Sequence, residues 1–539
     1  MRTQYITSTP FSDQRPGTSG LRKATQTFQK AHYSENFIQA VFNTLGIAGK
    51  TLVIGGDGRF HNKAVLQTII AMAVAQGAKA LIITQNGLLS TPAASHLIRL
   101  NQADYGMILS ASHNPGGADG DFGIKVNLER GEPAPEHVTE AIYQQSLALD
   151  GYITTDNGAI DLSELGDTRL GDTKIRIISA TTDYVALMQE CFDFPAIKRW
   201  LEQYRIAFDA LHAVTGPYAK ALFVDALGVD ETYLLNTTPL PDFGGKHPDP
   251  APDRIDELKH KMTEDERIVL VAASDGDGDR NLISGRDGVI NPCDSLAVIA
   301  DHHADIPCLR TLRGVARSMP TCRAIDKVAS AQRLTCYETP TGWKFFANLL
   351  DAELIQLCGE ESFGTGGDHI REKDGLWTIL CWLNILAVSG KTPDQLIHEH
   401  WQRYGRHHFN RFDYSGLDPE SATKMLASLE RDLTKYIGQT HHGLTITSAG
   451  QFNYTDPTNG ETTPGQGLQV QFGSQARIIC RLSGTDTRGV TLRIYCEYWQ
   501  QDITTKPALA GTTATLASLA QGALNISAFC GKTQPDHIV

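Results

Sequence analysis

Between residues 51 and 115 short apolar runs alternate with helical patterns, and each run ends in a polar cluster; few folds other than a helix-covered parallel sheet accommodate that order. The first run, Leu52-Val53-Ile54, precedes a helical pattern from His61 to Gln76, a stop at Gly77 and a second run, Leu81-Ile82-Ile83. Ser90 or Thr91 can cap the next helix, with Pro92 in its first turn. A third run, Met107-Ile108-Leu109, leads directly into Ser110-Ala111-Ser112-His113-Asn114-Pro115. Loops that follow parallel strands are where α/β proteins hold their ligands.

The alternation resumes twice. Ile206-Ala207-Phe208, a helix through Ala219 to Ala226 and a strand from Ile268 to Ala272 lead to Asp275. Leu334 to Tyr337, a helix from Trp343 to Leu350, a strand from Leu354 to Leu357 and a buried helix over Leu376 to Val388, which carries Asn384, form a third set. After about residue 409 the pattern becomes one long helix, Ser421 to Ile437, with alternating strands at Leu468 to Phe472, Arg477 to Leu482 and Thr491 to Tyr495. The expected fold is therefore α/β, with three similar mixed α/β domains (1–186, 187–302 and 303–408) and a smaller C-terminal α+β domain (409–539). At 539 residues the chain is several times a usual domain of about 100 to 200 residues, which accords with four domains.

Composition removes several classes of function. With 48 basic and 61 acidic residues the net charge is -13, which argues against a nucleic-acid or anionic-membrane partner, and any anionic substrate must meet a local basic site. The ten cysteines all follow residue 190 and include no C-x-x-C pair, a pattern of the reducing cytoplasm. The segment from Met1 has no apolar h-region, so no secretory signal is expected. No obligatory protein partner is evident.

Asp275-Gly276-Asp277-Gly278-Asp279-Arg280 sets three carboxylates at alternate positions on a glycine-rich turn. Hard divalent cations want such oxygens, and three leave room in an octahedral shell for a phosphoryl oxygen, which suits magnesium. An EF-hand fails because its sixth position is Arg280 and its twelfth Arg286. The bland alternative is a solvated acidic turn.

Ser112 is the candidate phosphoryl carrier, followed by Pro115, Gly116 and Gly117. A G-x-S-x-G elbow is excluded by Ser110 and Asn114 at the two glycine positions. Gly-Lys-Thr at 49–51, 390–392 and 531–533 lacks the earlier Walker glycine, and Gly55-Gly56-Asp57-Gly58-Arg59 does not fit G-x-G-x-x-G. Arg481-Leu482-Ser483-Gly484-Thr485 offers donors and charge for a phosphate dianion, or an ordinary hairpin turn. Gly359-Glu360-Glu361-Ser362-Phe363-Gly364 offers acceptors for sugar hydroxyls, or a polar loop. Arg371-Glu372-Lys373-Asp374 adds charge, or starts a solvated helix.

Together these segments, with Thr18-Ser19-Gly20-Leu21-Arg22-Lys23, Asp121 to Lys125 and Thr339 to Lys344, resemble the α-D-phosphohexomutase family over nearly the whole chain, and within it the long, glucose-specific phosphoglucomutase branch. The resemblance implies four domains around a central cleft, phosphorylation of Ser112, and one magnesium ion per chain held by Asp275, Asp277, Asp279 and the phosphoryl group on Ser112. It implies that Arg22, His113, Lys125 and Lys373 surround the transferring group. It gives substrate-binding roles to Thr18, Ser19, Arg280, Thr341, Gly342, Glu360, Ser362, Arg481, Ser483, Thr485 and Arg493. The implied reaction moves a phosphoryl group between C1 and C6 of glucose phosphate in cytoplasmic glucose and glycogen metabolism, with glucose 1,6-bisphosphate as intermediate and activator and small hexose phosphates as the partners. Lys125 and His113 are the acid–base candidates. Asp486-Thr487-Arg488 departs from the small residues usual after Ser-Gly-Thr. Alternatives within the family are a phosphomannomutase, a phosphoglucosamine mutase or a bisphosphate synthase, and outside catalysis a silent adaptor.

Overall fold

The run Thr51–Gly56 is apolar on both faces because it is the middle strand of a seven-stranded sheet. The computed structural model describes residues 2–17, 19–156, 158–483, 489–504, 512–523, 527 and 530–539. They fall into two compact units, one of residues 1–292, 302–313 and 342–394, the other of residues 293–301, 314–341 and 395–539.

In the first unit the large sheet consists of β1 (Leu21–Ala24), β2 (Thr51–Gly56), β3 (Ala80–Leu88), β4 (Tyr105–Leu109), β5 (Asp121–Leu128), β6 (Gly166–Leu170) and β7 (Thr173–Ile178), in the order β1-β5-β4-β2-β3-β7-β6. The inner strands β4, β2, β3 and β7 are parallel, and β1, β5 and β6 are antiparallel additions. Helix α1 (Tyr33–Leu45), α2 (Asn62–Ala75) and α3 (Thr91–Leu100) connect and cover these strands. One cluster joins Phe37 and Val41 of α1, Leu66 and Ile70 of α2, and Ile54, Ile83 and Met107 of the sheet. From β2 the chain crosses to β3 on one side, then returns to β4 on the other. Strand order therefore reverses between β2 and β4, and ligands of such sheets bind at that point.

A second sheet pairs Arg205–Asp209 in parallel with Leu234–Leu235 and Ile268–Ser274, and Asn281–Ser284 folds back antiparallel on the last. Residues 275–280 are therefore the tip between two hydrogen-bonded strands. The helix expected through Ala219 to Ala226 is a short α-helix, Thr215–Ala219, that widens into π-helical turns over Lys220–Ala226.

The hairpin Leu357–Glu360/Gly364–Gly367 and the helix Gly375–Ser389 also belong to this unit. The strand starts three residues later than the expected Leu354. Glu353 takes a left-handed φ of 55° and Leu354 N–H bonds back to Leu349 O, so residues 352–356 are spent leaving the preceding helix. Helix Gly375–Ser389 is apolar on all sides and buried as far as Leu386, but Val388, expected to be buried with it, lies exposed in the last turn where the helix leaves the core. Asn384 within it is satisfied, accepting from Asp193 N (2.9 Å) and donating to Asp305 O (2.7 Å).

The second unit contains the parallel pair Gly314–Ser318/Thr335–Thr339 and a six-stranded antiparallel sheet in the order Ser448–Gln451, Leu468–Phe472, Ala476–Ser483, Val490–Gln500, Arg406–Leu417, His537–Ile538. Helices Pro419–Leu433 and Thr512–Ala523 cover one face through Leu429, Leu433, Leu516 and Ala520. The first begins earlier and ends earlier than expected. Asp418 caps it by accepting from Ser421 N (2.9 Å) with Pro419 in the first turn, and a 3-10 turn takes over at Thr434.

Ile54 lies wholly inside the first sheet, so Ile54→Ala leaves a cavity and should lower stability to urea by about 2–5 kcal/mol. A change below about 1 kcal/mol would contradict the central position of β2.

Candidate active site

Ser112 lies just past β4, and residues 55–59 lie at the end of β2, its neighbour at the reversal point. Ser112 takes φ 53°, a left-handed conformation that costs energy for any residue but glycine. Two buried groups hold it there. Its N–H donates to Ser110 Oγ (2.7 Å), whose hydroxyl donates to Asp57 Oδ2 (2.7 Å). Its carbonyl accepts from Arg59 Nη2 (2.7 Å), and Arg59 Nη1 reaches Asp121 O (2.9 Å). Arg59 Nε in turn bonds Asp57 Oδ2 (2.8 Å), and neither side chain is exposed. The serine's backbone is thus fixed, and its Oγ donates to Asp275 Oδ2 (2.8 Å) with His113 Nδ1 at 3.4 Å. The metal-loop backbone passes so close that a Cβ on Gly276 would lie 2.4 Å from Ser112 O. Glycine is required at 276 for that approach.

Asp275, Asp277 and Asp279 are all buried, with ligand oxygens within 4.8 Å of one another. Burial and the two neighbouring carboxylates push Asp275 well above the ordinary carboxylate range. Burial acts on Asp277 in the same sense, but Lys125, the Thr91 hydroxyl and Arg22 outweigh it and hold Asp277 below its ordinary value. Asp277 Oδ1 and Asp279 Oδ1 are buried without hydrogen-bond partners. Buried carboxylate oxygens left unpaired on converging side chains fit a hard divalent cation, whose charge would relieve the repulsion that raises Asp275.

Two lysines brace the triad from the protein side. Lys125 Nζ lies 3.1 Å from Asp277 Oδ2 and 3.7 Å from Asp279 Oδ2, and Lys373 Nζ lies 3.2 Å from Asp279 Oδ2. Desolvation pulls Lys125 down, but Asp277, Glu372 and Asp279 more than offset it, so the ammonium lies above its ordinary value. Arg22, on β1, is near enough for Asp277 and Asp279 to counter the effect of its burial, which still leaves it below its ordinary value. Arg280 donates from its N–H to Asp275 Oδ1 (3.1 Å) and from Nη1 to Asp249 Oδ1 (3.2 Å).

The sugar-loop candidates adjoin this network. Glu360 Oε1 accepts from Gly342 N (3.2 Å), and burial raises its pKa. Ser362 is half-buried, and Phe363 O accepts from both Asn281 N–H (2.9 Å) and its side chain (3.0 Å), which ties the loop to the strand after the metal tip. Residues 372–375 are not a solvated helix start, since Glu372 and Asp374 are 2% and 0% exposed. Glu372 Oε1 accepts from Asn127 Nδ2 (2.8 Å), and Asp374 caps its helix while accepting from Tyr184 Oη (2.6 Å). Gly375 N–H bonds to Gly278 O (3.1 Å). Ser19 is half-buried, and Thr18 lies outside the described residues.

In the second unit one sheet face carries cross-strand pairs of opposite character. Arg477 faces Glu497 and bonds it (2.8 Å), whereas Arg481 faces Arg493. Like charges directly opposite are destabilising, and Arg493 Nε has no hydrogen bond, only a loose ion pair with Asp413 Oδ1 at 3.8 Å on the other neighbouring strand, so this pair suits an anion. Ser483 ends the same strand, buried, and Thr341 belongs to this unit with its hydroxyl buried and unpartnered. Thr485 and the 486–488 departure lie outside the described residues.

Sequence reasoning missed Asp57, Arg59, Thr91 and the Glu372–Asn127 contact. Asp57 and Arg59 entered only as a failed dinucleotide fingerprint. Their position at the end of the strand beside the serine's strand was the available signal.

A serine hydroxyl on a buried aspartate triad, with cations ranged behind it, is the apparatus of a metal-assisted phosphoryl-transfer enzyme. Models of phosphoglucomutase/phosphomannomutase α/β/α domains I, II and III match residues 13–152, 182–288 and 292–404, and a phosphoglucomutase-1 C-terminal domain model matches residues 406–536. A phosphoglucomutase of Rhizobium radiobacter is 45% identical over 98% of this chain and 98% of its own. Human phosphoglucomutase-1 is 45% identical over 92% of each chain. The crystal structure of the Paramecium phosphoprotein pp63/parafusin, described as a phosphoglucomutase in its open form, superposes with a TM-score of 0.91 at 41% identity over 100% of this chain and 99% of that one. The chain belongs to the phosphoglucomutase/phosphomannomutase family, with its three α/β/α domains and C-terminal domain.

Asp57→Asn keeps the shape but removes the charge that anchors Arg59. It should lower kcat by about 10–100-fold with little change in KM, because the serine rather than the sugar site is misplaced; an equal loss in KM alone would contradict this.

Burial raises Glu372 from 4.5 to about 7. Between these values the folded chain binds more protons than the unfolded one, so the stability this group contributes below pH 4.5 is lost as pH climbs through 7. In metal-free protein Glu372→Gln should be more stable than wild type by on the order of 2 kcal/mol at pH 8, with the gap narrowing toward pH 4.5. Melting curves at several pH values with a constant gap would refute it.

Proposed function

We propose that this protein is a phosphoglucomutase, interconverting glucose 1-phosphate and glucose 6-phosphate through a phosphorylated Ser112 and glucose 1,6-bisphosphate. The observation that carries the proposal is Ser112 Oγ at 2.8 Å from Asp275 in a buried triad of aspartates, within a chain 45% identical to phosphoglucomutases along nearly its full length. Magnesium is the cofactor we assign to Asp275, Asp277 and Asp279, which would hold it with the phosphoryl group on Ser112. When bound, it supplies charge that stabilises the phosphoryl oxygens during transfer.

In the first half-reaction the bond from phosphorus to Ser112 Oγ breaks as a bond forms to O6 of glucose 1-phosphate, and the hydroxyl proton leaves. Of the two acid–base candidates, His113, with Nδ1 at 3.4 Å from Ser112 Oγ, is the one able to take that proton, because Asp277, Glu372 and Asp279 hold Lys125 as an ammonium that can only donate. Arg22, Lys373 and Arg280 offset negative charge around the transferring group. Glu360 and Ser362 bind sugar hydroxyls, and Ser19, Thr18, Thr341 and Gly342 are further substrate-binding residues in this reading. The bisphosphate must then turn, so that the phosphoryl on O1 returns to Ser112. Whichever phosphate is not reacting is gripped by Arg481, Ser483, Thr485 and Arg493; the facing arginines support that role. Glucose 1,6-bisphosphate would also act as activator by phosphorylating Ser112 when it has lost its phosphoryl group.

The Glu360-Glu361-Ser362-Phe363 loop supports glucose over mannose or glucosamine phosphates. Among the described residues no helix is long and apolar enough to cross a membrane, and no disulfide joins any of the ten cysteines. The protein's place of work is, in this reading, the cytoplasm, and its partners are small hexose phosphates.

Conversion of glucose 1-phosphate with magnesium and a trace of glucose 1,6-bisphosphate should fall by ~10³-fold or more in Ser112→Ala. It should also stop on chelation and recover with added magnesium. Faster turnover of mannose 1-phosphate by wild type would replace the glucose reading.

A further inference from the structure

Thr91 begins α3 but does not cap it, since Ser90 accepts from Ala93 N (3.3 Å) in that role. Threonine is also a poor helix former, so the helix supplies no reason for it. Its fully buried side chain meets two charged groups from other elements. The hydroxyl lies 2.7 Å from Asp277 Oδ2 and 3.0 Å from Lys125 Nζ, and the Thr91 N–H bonds to Asp277 O (2.9 Å). With Lys125 Nζ at 3.1 Å from Asp277 Oδ2, the three atoms close a triangle. Chemistry sets its direction. An ammonium only donates and a carboxylate only accepts, so the single Thr91 proton goes to Asp277 and its lone pair receives Lys125.

The triangle has a consequence at the carboxylate. Asp277 Oδ2 is occupied by two donors, and Oδ1, buried and unpartnered, is the oxygen left for a cation.

We infer that Thr91 is a positioning residue that couples the metal site to Lys125, its one hydroxyl fixing which Asp277 oxygen is offered to the metal and where the Lys125 ammonium sits. The inference rests on the reading of Asp275, Asp277 and Asp279 as metal ligands and deepens it. Partners of this kind, one bond removed from a metal ligand, alter affinity or activity by about 10–100-fold when lost.

The test replaces Thr91 with valine, which keeps the β-branched shape, and with serine, which keeps the hydroxyl. Manganese binding to the full-length protein, without substrate, is measured by calorimetry, and kcat and KM are measured with magnesium. Thr91→Val should weaken manganese binding by about tenfold and lower kcat by about 10–100-fold with KM within about twofold. Thr91→Ser should recover both. Thr91→Val that binds manganese as tightly as wild type overturns the inference. Should the valine variant fail to fold by circular dichroism, Thr91→Ala takes its place with the same two outcomes. A wild-type protein that binds no manganese instead removes the metal reading itself. Because this titration involves no sugar, an error over the substrate leaves the test intact. A loss of thermal stability in Thr91→Val, unaccompanied by weaker manganese binding, would reduce Thr91 to a structural residue.

Discussion

Three carboxylates in one buried turn repel each other, and the surrounding fold answers that repulsion. Each aspartate at 275, 277 and 279 would be costly to bury alone as an anion. Lys125 arrives from β5 and Lys373 from the segment before helix Gly375–Ser389, so two distant parts of the chain must fold correctly before the turn is tolerable. The compensation is incomplete, because Asp275 remains raised and two carboxylate oxygens remain unpaired. That residual strain favours a cation from solution. The same arrangement keeps Ser112 Oγ beside the carboxylate most in need of a positive neighbour.

The serine is governed by a different pair. Asp57 and Arg59 form a closed ion pair that satisfies itself and spends its remaining donors on backbone carbonyls around Ser112. A buried guanidinium with a fixed planar fork is suited to such work because its donors are rigid relative to one another. The left-handed φ of Ser112 is sustained by these bonds rather than by local preference. Stored strain and preorganisation here concern one residue.

Much of this was legible in the sequence because strands and their terminal loops carry local signals. The apolar runs at 52–54, 81–83 and 107–109 are strands, and the aspartate turn is a buried cluster. Less legible were residues whose partners lie far away along the chain. Thr91 reads as a possible cap, since nothing nearby shows that Asp277, 186 residues away, takes its proton. Glu372 and Asp374 read either as added site charge or as a solvated first turn, because charge near a helix start is usually exposed. Partners brought in by tertiary folding, Asn127 and Lys125 for Glu372 and Tyr184 and His369 for Asp374, make their burial tolerable. The late start of strand Leu357–Glu360 was hidden because the exit from the preceding helix turns on Glu353 in a conformation that its side chain does not announce.

Four successive residues, Glu372 to Gly375, each dock on a different neighbour: Asn127, Asp279, Tyr184 and Gly278. Their spacing along the backbone is therefore matched to the spacing of four independent sockets. A substitution at one of them disturbs one socket. An insertion or deletion of a single residue shifts every following side chain out of its socket at once, so the segment is held in length as well as in composition, where a Cβ on Gly375 would lie 2.1 Å from Arg280 O. By contrast, the turn at residues 457–460 joins two short strands and makes no such set of contacts, so a change of length there would be absorbed locally. Relatives of this chain should accordingly keep the length of the first segment and differ in the length of the second.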